Sequence, residues 1–150
     1  MDNKIKYYIS DIPVYRGKLI VAIGNNNKEI HDKFEIGYDN DKDLEGVLGF
    51  VWNYRSKEGN RRYLVWFPKK PKASILAHEV VHIVNKVFQD VGVNLDTFND
   101  EPQTYFTDCI FDMVEESISR IEKGKYSKTI DSEALILKNT LKENLIKDGK

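Results

Sequence analysis

Cysteine is nearly absent from the sequence: Cys109 is the only one among 150 residues. An intrachain disulfide is therefore impossible, and a zinc site built from several cysteine thiolates is excluded. Long apolar runs are also lacking. Neither the roughly 20 residues of a membrane-spanning helix nor the apolar core of a signal peptide can be found. We expect a cytoplasmic protein that makes no contact with a membrane.

An excess of charge of one sign is lacking as well. The chain has 23 Lys and Arg residues against 24 Asp and Glu residues, and its formal net charge is -1. Such a balance creates no general basic field to attract nucleic acid. Local basic pairs such as Arg61-Arg62 are interpreted as solvated surface charge. We expect no nucleic-acid partner, and the composition predicts no oligomeric state.

The N-terminal half has the composition of β-structure. A length of 150 residues fits one domain, residues 1–150, with its own core. β-branched and aromatic residues are concentrated at 12–23, 47–54 and 63–67, with polar or glycine-containing turns within and between these runs. The pattern predicts an N-terminal antiparallel sheet made of hairpins.

The C-terminal half has helical periodicity. The spacing of its apolar residues predicts two main helices, over 73–91 and 99–123, each stopped by a glycine. Within the lysine-rich residues 125–150, a weaker apolar period predicts a peripheral helix over 132–146. Strands followed by helices make the predicted class α+β.

One of the three histidines lies apart from the other two. His31 falls on a short helix predicted over 28–34, for which Asn27 is the candidate N-cap. Its neighbours show no pattern typical of a metal site. We interpret His31 as a structural histidine.

The other two histidines form the motif His78-Glu79-Val80-Val81-His82. Residues four apart lie on one face of a helix, so both imidazoles can bind a single ion. Glu79 is then placed to take a proton from a metal-activated water. Because apolar residues surround most of this helix, we predict that it is a central, buried one.

A catalytic zinc site takes three protein ligands, so the two histidines need a third. With no usable cysteine, the third ligand should be a carboxylate. Glu101 begins the next helix, with eighteen residues between it and His82. Asp96 and Asp100 are the alternatives. Two polar stripes, one on each helix, are predicted to meet: His78, His82, Asn85 and Gln89 with Glu101, Tyr105, Asp108 and Asp112.

The motif, its eighteen-residue spacer and the following glutamate resemble the pattern of gluzincins, the thermolysin-like peptidases and zinc aminopeptidases. The resemblance implies a small zincin-like domain in which His78, His82 and Glu101 bind Zn²⁺ and Glu79 is the general base. It also implies that the strand before the motif helix, here near 63–67, is an edge strand that binds extended substrate by backbone pairing.

Three segments, 12–18, 77–82 and 99–105, also resemble small uncharacterised zincin-like proteins of phages and prophages. One position departs from thermolysin-like enzymes, which have an aspartate one turn after the ligand glutamate to support a ligand histidine. Here that residue is Tyr105, a candidate donor to an oxyanion. Asp108, one turn further, is the candidate for the supporting role.

Two functions from different classes fit these observations. The first is a zinc metallopeptidase that hydrolyses a peptide or protein substrate, with Glu79 and Tyr105 as catalytic residues. The alternative is a catalytically silent, zinc-containing protein that binds a protein partner. A structural zinc is closed by a fourth protein ligand, and Asp108 or Asn85 would supply it.

Overall fold

Four strands form one mixed sheet in this computed structural model, which describes residues 4–34 and 45–126. The strands are β1 (Lys6–Asp11), β2 (Lys18–Ile23), β3 (Phe50–Arg55) and β4 (Arg61–Phe67), and their order is β1-β2-β4-β3. β1 pairs antiparallel with β2, and β3 pairs antiparallel with β4. β2 and β4 are parallel, which the predicted antiparallel sheet did not include. The α+β class is confirmed.

Three helices complete the described chain: α1 (Asn27–Phe34), α2 (Ala73–Val91) and α3 (Glu101–Glu122). The predicted bounds of α2 are confirmed. Gly92 ends this helix at a φ of 76°, a left-handed conformation that glycine adopts without steric cost. The predicted peripheral helix over 132–146 lies outside the described residues.

The first hairpin begins earlier than predicted. β1 precedes the β-branched run, and residues 12–17 form a turn closed by a 2.9 Å hydrogen bond from the Ile12 N–H to the Gly17 carbonyl. Tyr15 in this turn packs edge-on against Phe88 and Phe106, with ring centroids 5.6 and 4.9 Å apart. Ile12 and Tyr15 of the turn thus anchor it to the core, a role that their composition does not distinguish from that of strand residues.

The second hairpin joins β3 and β4. Of these two strands, only β3 is an outer strand of the sheet. Residues Arg62 to Phe67 of β4 are all buried, because β2 and β3 flank this strand. The prediction that 63–67 is an edge strand is therefore wrong. Periodicity shows that both faces of such a strand are apolar, but it does not show which neighbours pair with it.

Each face of the sheet covers its own core. Alternate residues of β4 point to opposite faces, and α2 and α3 pack on one face while α1 packs on the other. The first core contains Tyr63, Val65 and Phe67 of β4. The second contains Leu64 and Trp66. No helix within the described ranges has the length and apolarity needed to cross a membrane.

A single hydrogen bond links this sheet to the end of α2. The hydroxyl of Tyr63, a fully buried residue, donates to Asp90 Oδ2 over 2.6 Å. Burial, followed by the bond to Asp90, raises the pKa of Tyr63 well above its ordinary value. We predict that Tyr63→Phe lowers the free energy of unfolding by about 1 kcal/mol. Thermal unfolding measures it, with Tyr15→Phe as the control, since the Tyr15 hydroxyl bonds to no described residue.

Candidate metal centre

The two motif histidines approach each other closely on the surface of α2. The Nε2 atoms of His78 and His82 are 3.1 Å apart. The ring centroids are 4.8 Å apart, and the planes are inclined at 78°. Both side chains are exposed. The two imidazoles therefore converge, as their spacing on the helix predicts.

This separation is close to that of two ligands on one zinc ion. Zinc–nitrogen bonds of about 2.0–2.1 Å at a tetrahedral angle place two ligand atoms roughly 3.3 Å apart. The same 3.1 Å also fits a hydrogen bond between neutral imidazoles, in which one ring donates and the other accepts. The histidine pair thus fits zinc with little movement.

The Glu79 side chain lies between α2 and the residues that precede β3. It is only 6% exposed. A Cβ atom added to Gly49 would lie 2.9 Å from Glu79 Cγ and 3.1 Å from Glu79 Oε1, so the carboxylate packs against the Gly49 backbone. It forms no hydrogen bond or ion pair with any described residue. Burial raises the pKa of Glu79, while the charges of His82 and His78 act in the opposite direction.

A raised pKa on Glu79 predicts a specific pH dependence of stability. The folded state binds the Glu79 proton more tightly than the unfolded state, whose carboxyl keeps a pKa near 4.5. Stability is therefore lost as pH rises from the unfolded to the folded pKa. In metal-free protein, Glu79→Gln should raise the melting temperature by a few degrees at pH 7, and this gain should shrink toward pH 4. Glu115→Gln on exposed α3 surface is the control, and an equal gain there would contradict the prediction.

His78 and Glu79 border an open cleft of about 370 Å³. Its other walls are Leu48 and Gly49 before β3, and Ser74 and Ile75 in the first turns of α2. Leu48 is 57% exposed. The cleft therefore joins the candidate metal ligand and the candidate base to the beginning of the outer strand.

The third predicted ligand is not part of this group. Among residues 4–34 and 45–126, no three His, Cys, Asp or Glu side chains are placed to hold one metal ion. Glu101, Asp96 and Asp100 are all included in that range. The structure thus brings two imidazoles together and groups no third ligand with them among the described residues.

The length of α2 explains the position of Glu101. α2 and α3 are antiparallel, since the rings of Phe88 and Phe106 stack at 5.5 Å and Lys70 pairs with Glu122 at 3.2 Å. His82 precedes Phe88 by six positions, and Glu101 precedes Phe106 by five. At 1.5 Å per position, the offset between His82 and Glu101 along the helix axes is about 16 Å. Half of the eighteen-residue spacer, residues 83–91, continues α2.

The two polar stripes remain on the surface, and the prediction that they meet has no support. α2 is also not the central helix that was predicted, because its buried residues lie on one side only. Asn85 follows His82 by three residues and is therefore its neighbour on the helix. The eight stripe residues are all exposed: His78, His82, Asn85, Gln89, Glu101, Tyr105, Asp108 and Asp112.

Gly49 is the site residue that sequence analysis missed. It falls within the run 47–54 that was predicted to be one strand, whereas β3 begins at Phe50. A glycine in a strand pattern marks a close backbone approach, and here the approaching group is Glu79. The sequence shows a glycine within a strand pattern, but it does not show that Glu79 is the group that approaches it.

Searches of family models, of curated proteins and of solved structures find no match to this chain. The function is therefore inferred from the residues of the site.

Proposed function

We propose that this protein is a zinc-dependent metallopeptidase with a zincin-like arrangement of sheet and motif helix. The supporting observation is the convergence of the His78 and His82 Nε2 atoms to 3.1 Å beside a buried carboxylate. In this proposal the two histidines hold the zinc ion and Glu79 is the general base.

Each of the three residues has a defined chemical task. Zinc bound there would lower the pKa of a water molecule and polarise the substrate carbonyl. Glu79 accepts the proton of the attacking water and passes it to the leaving amine. Its burial against Gly49 favours proton uptake, because a desolvated carboxylate is a stronger base than a solvated one.

The proposed substrate is a peptide in an extended conformation. β3 is an outer strand of the sheet that the described residues form, and its first residue follows Gly49 directly. An extended peptide pairs with such a strand through backbone hydrogen bonds. Peptide pairing along β3 would lead the substrate toward the His78–Glu79 cleft, a task that the sequence had assigned to 63–67.

The alternative is a catalytically silent zinc-containing protein with a protein partner, whose zinc would need further protein ligands to close its site. The described residues group no third ligand with the two histidines. Several earlier expectations stay predictions. They are the ligand role of Glu101, the catalytic role of Tyr105 in a peptidase, the supporting roles of Asp108 and Asn85, and the cytoplasmic location.

Zinc analysis of histidine variants tests the metal site itself. We expect purified protein to bind one zinc ion, and His78→Ala and His82→Ala each to lose most of it, because each removes one of two converging ligands. Both side chains are exposed, so the variants should remain folded. Glu101→Ala should keep its zinc, given its axial offset from the histidines.

Gln89→Ala, on the same stripe of α2, is the matched control. A full equivalent of zinc in the double variant His78→Ala/His82→Ala would rule out this site. Loss of zinc in Glu101→Ala would instead restore Glu101 as the third ligand and require α3 to move.

A further inference from the structure

Basic side chains surround a second cavity, at the other end of the β3–β4 ladder from Gly49. This cavity, which we call the basic pocket, has a volume of about 420 Å³. One carboxylate, that of Asp11, lies among its walls. Its five basic residues are Arg16, Lys18, Arg55, Arg61 and Arg62. The near-neutral composition of the chain conceals this local excess.

The basic pocket is assembled from two segments that are distant in sequence, 11–18 and 55–62. The turn before β2 lies directly on the start of β4, since a Cβ on Gly17 would be 3.1 Å from the Arg61 carbonyl oxygen. The Arg61 guanidinium donates to the Tyr15 carbonyl over 2.6 Å. The Arg55 guanidinium donates to the Gly59 carbonyl over 2.9 Å. Backbone acceptors therefore orient both guanidinium groups.

Backbone carbonyls orient the guanidinium groups of Arg55 and Arg61 but do not neutralise their charge. In the described part of the chain, no carboxylate forms an ion pair with Arg16, Arg55 or Arg61. Asp11 is already paired with Lys18, at 2.7 Å. Lys18, and to a smaller extent Arg62, lower the pKa of the Asp11 carboxyl. A guanidinium has five N–H donors, so single bonds to carbonyls leave donors for a ligand.

The lining indicates which class of anion fits. Guanidinium groups bind phosphate oxygens in bidentate geometry, whereas a solvated lysine acts as a point charge. A cavity of this volume lies in the range of small-molecule pockets, about 300–1,000 Å³. Among the described residues, no aromatic side chain lines the basic pocket. The stacking platforms by which proteins bind single-stranded nucleic acid are therefore missing from it.

We propose that the basic pocket binds the phosphate groups of a small phosphate-bearing molecule, with Arg55 and Arg61 as the main contacts. The site is separate from the candidate metal centre. Five residue steps along β3 separate Arg55 from Phe50, which is roughly 17 Å at about 3.4 Å per residue. The proposal does not depend on zinc or on peptidase activity.

Calorimetric titration of the full chain with inorganic pyrophosphate, at about 0.15 M salt, tests the proposal. We expect a dissociation constant below about 1 mM. Arg61→Gln should weaken binding by about tenfold or more, the ratio typical of a lost hydrogen bond to a charged group. Lys69→Gln, the same charge change on an exposed residue at the other end of β4, should leave binding unchanged.

A gain-of-binding variant keeps the test independent of folding damage. The Asp11 side chain is 82% exposed, so Asp11→Asn should leave the fold intact and tighten pyrophosphate binding about two- to fivefold. The proposal is overturned by no binding to wild-type protein, by equal weakening in Lys69→Gln, or by an Asp11→Asn variant that binds no tighter. It is also overturned if a single-stranded oligonucleotide binds more tightly than pyrophosphate in an Arg61-dependent way.

Discussion

Glu79→Gln should reduce peptide hydrolysis by about 10²- to 10⁴-fold, the usual contribution of a general base. The substitution preserves the shape of the side chain beside Gly49 but removes its ability to accept a proton. Zinc content should not change, because the proposed zinc ligands are His78 and His82 and not Glu79. Quenched fluorogenic peptides report the rate, and metal analysis reports the zinc.

The controls separate the two proposed functions. Glu115→Gln, on the exposed surface of α3, should hydrolyse peptides at the wild-type rate. Full activity in Glu79→Gln would contradict the role of Glu79 as the base. A wild-type protein that holds zinc and cleaves none of the peptides would instead establish the silent, partner-binding alternative.

The same substitution should affect stability and activity in opposite directions. At neutral pH a buried carboxylate without a hydrogen-bond partner destabilises the folded state. Replacing it with an amide removes that penalty along with the base. A residue kept for structure alone would lose stability on substitution, so this pair of measurements distinguishes a functional Glu79 from a merely structural one.

Local signals in the sequence predicted most of the helices. The bounds of α2 could be predicted because its apolar period ends beside Gly92, which adopts the left-handed conformation of a C-cap. The proximity of His78 and His82 follows from helix geometry alone. Features set by residues near one another in sequence were therefore accessible.

Features set by distant residues were not. Tyr15 is a residue type common in strands, yet here it lies in a turn. Its ring packs against Phe88 and Phe106, which are distant in sequence. The parallel pairing of β2 with β4 depends on where the connection between the two hairpins returns the chain. The distance from the histidines to Glu101 depends on how far α2 continues before it turns. An eighteen-residue spacer is compatible with several such lengths.

Gly49→Ala should lower peptide hydrolysis by roughly 10- to 100-fold, the effect of misplacing a catalytic group by about 1 Å. The added Cβ would lie 2.9 Å from Glu79 Cγ, so the carboxylate has to move. The melting temperature should change little, because the group that yields is the end of a flexible side chain and Gly49 needs no left-handed backbone. Zinc content should also be unchanged.

Gly46→Ala provides a control with the reverse outcome. No atom of the described residues lies within 4 Å of a Cβ at Gly46, but its φ of +76° strains any other residue. This variant should lose about 1 kcal/mol of stability and keep its activity. Gly46→Ala shows how much activity is lost through unfolding alone. If the activity of Gly49→Ala fell only as far as its folded fraction fell, the Gly49 backbone would serve packing alone. Loss of activity in a fully folded, zinc-loaded Gly49→Ala would show that the start of β3 positions the base.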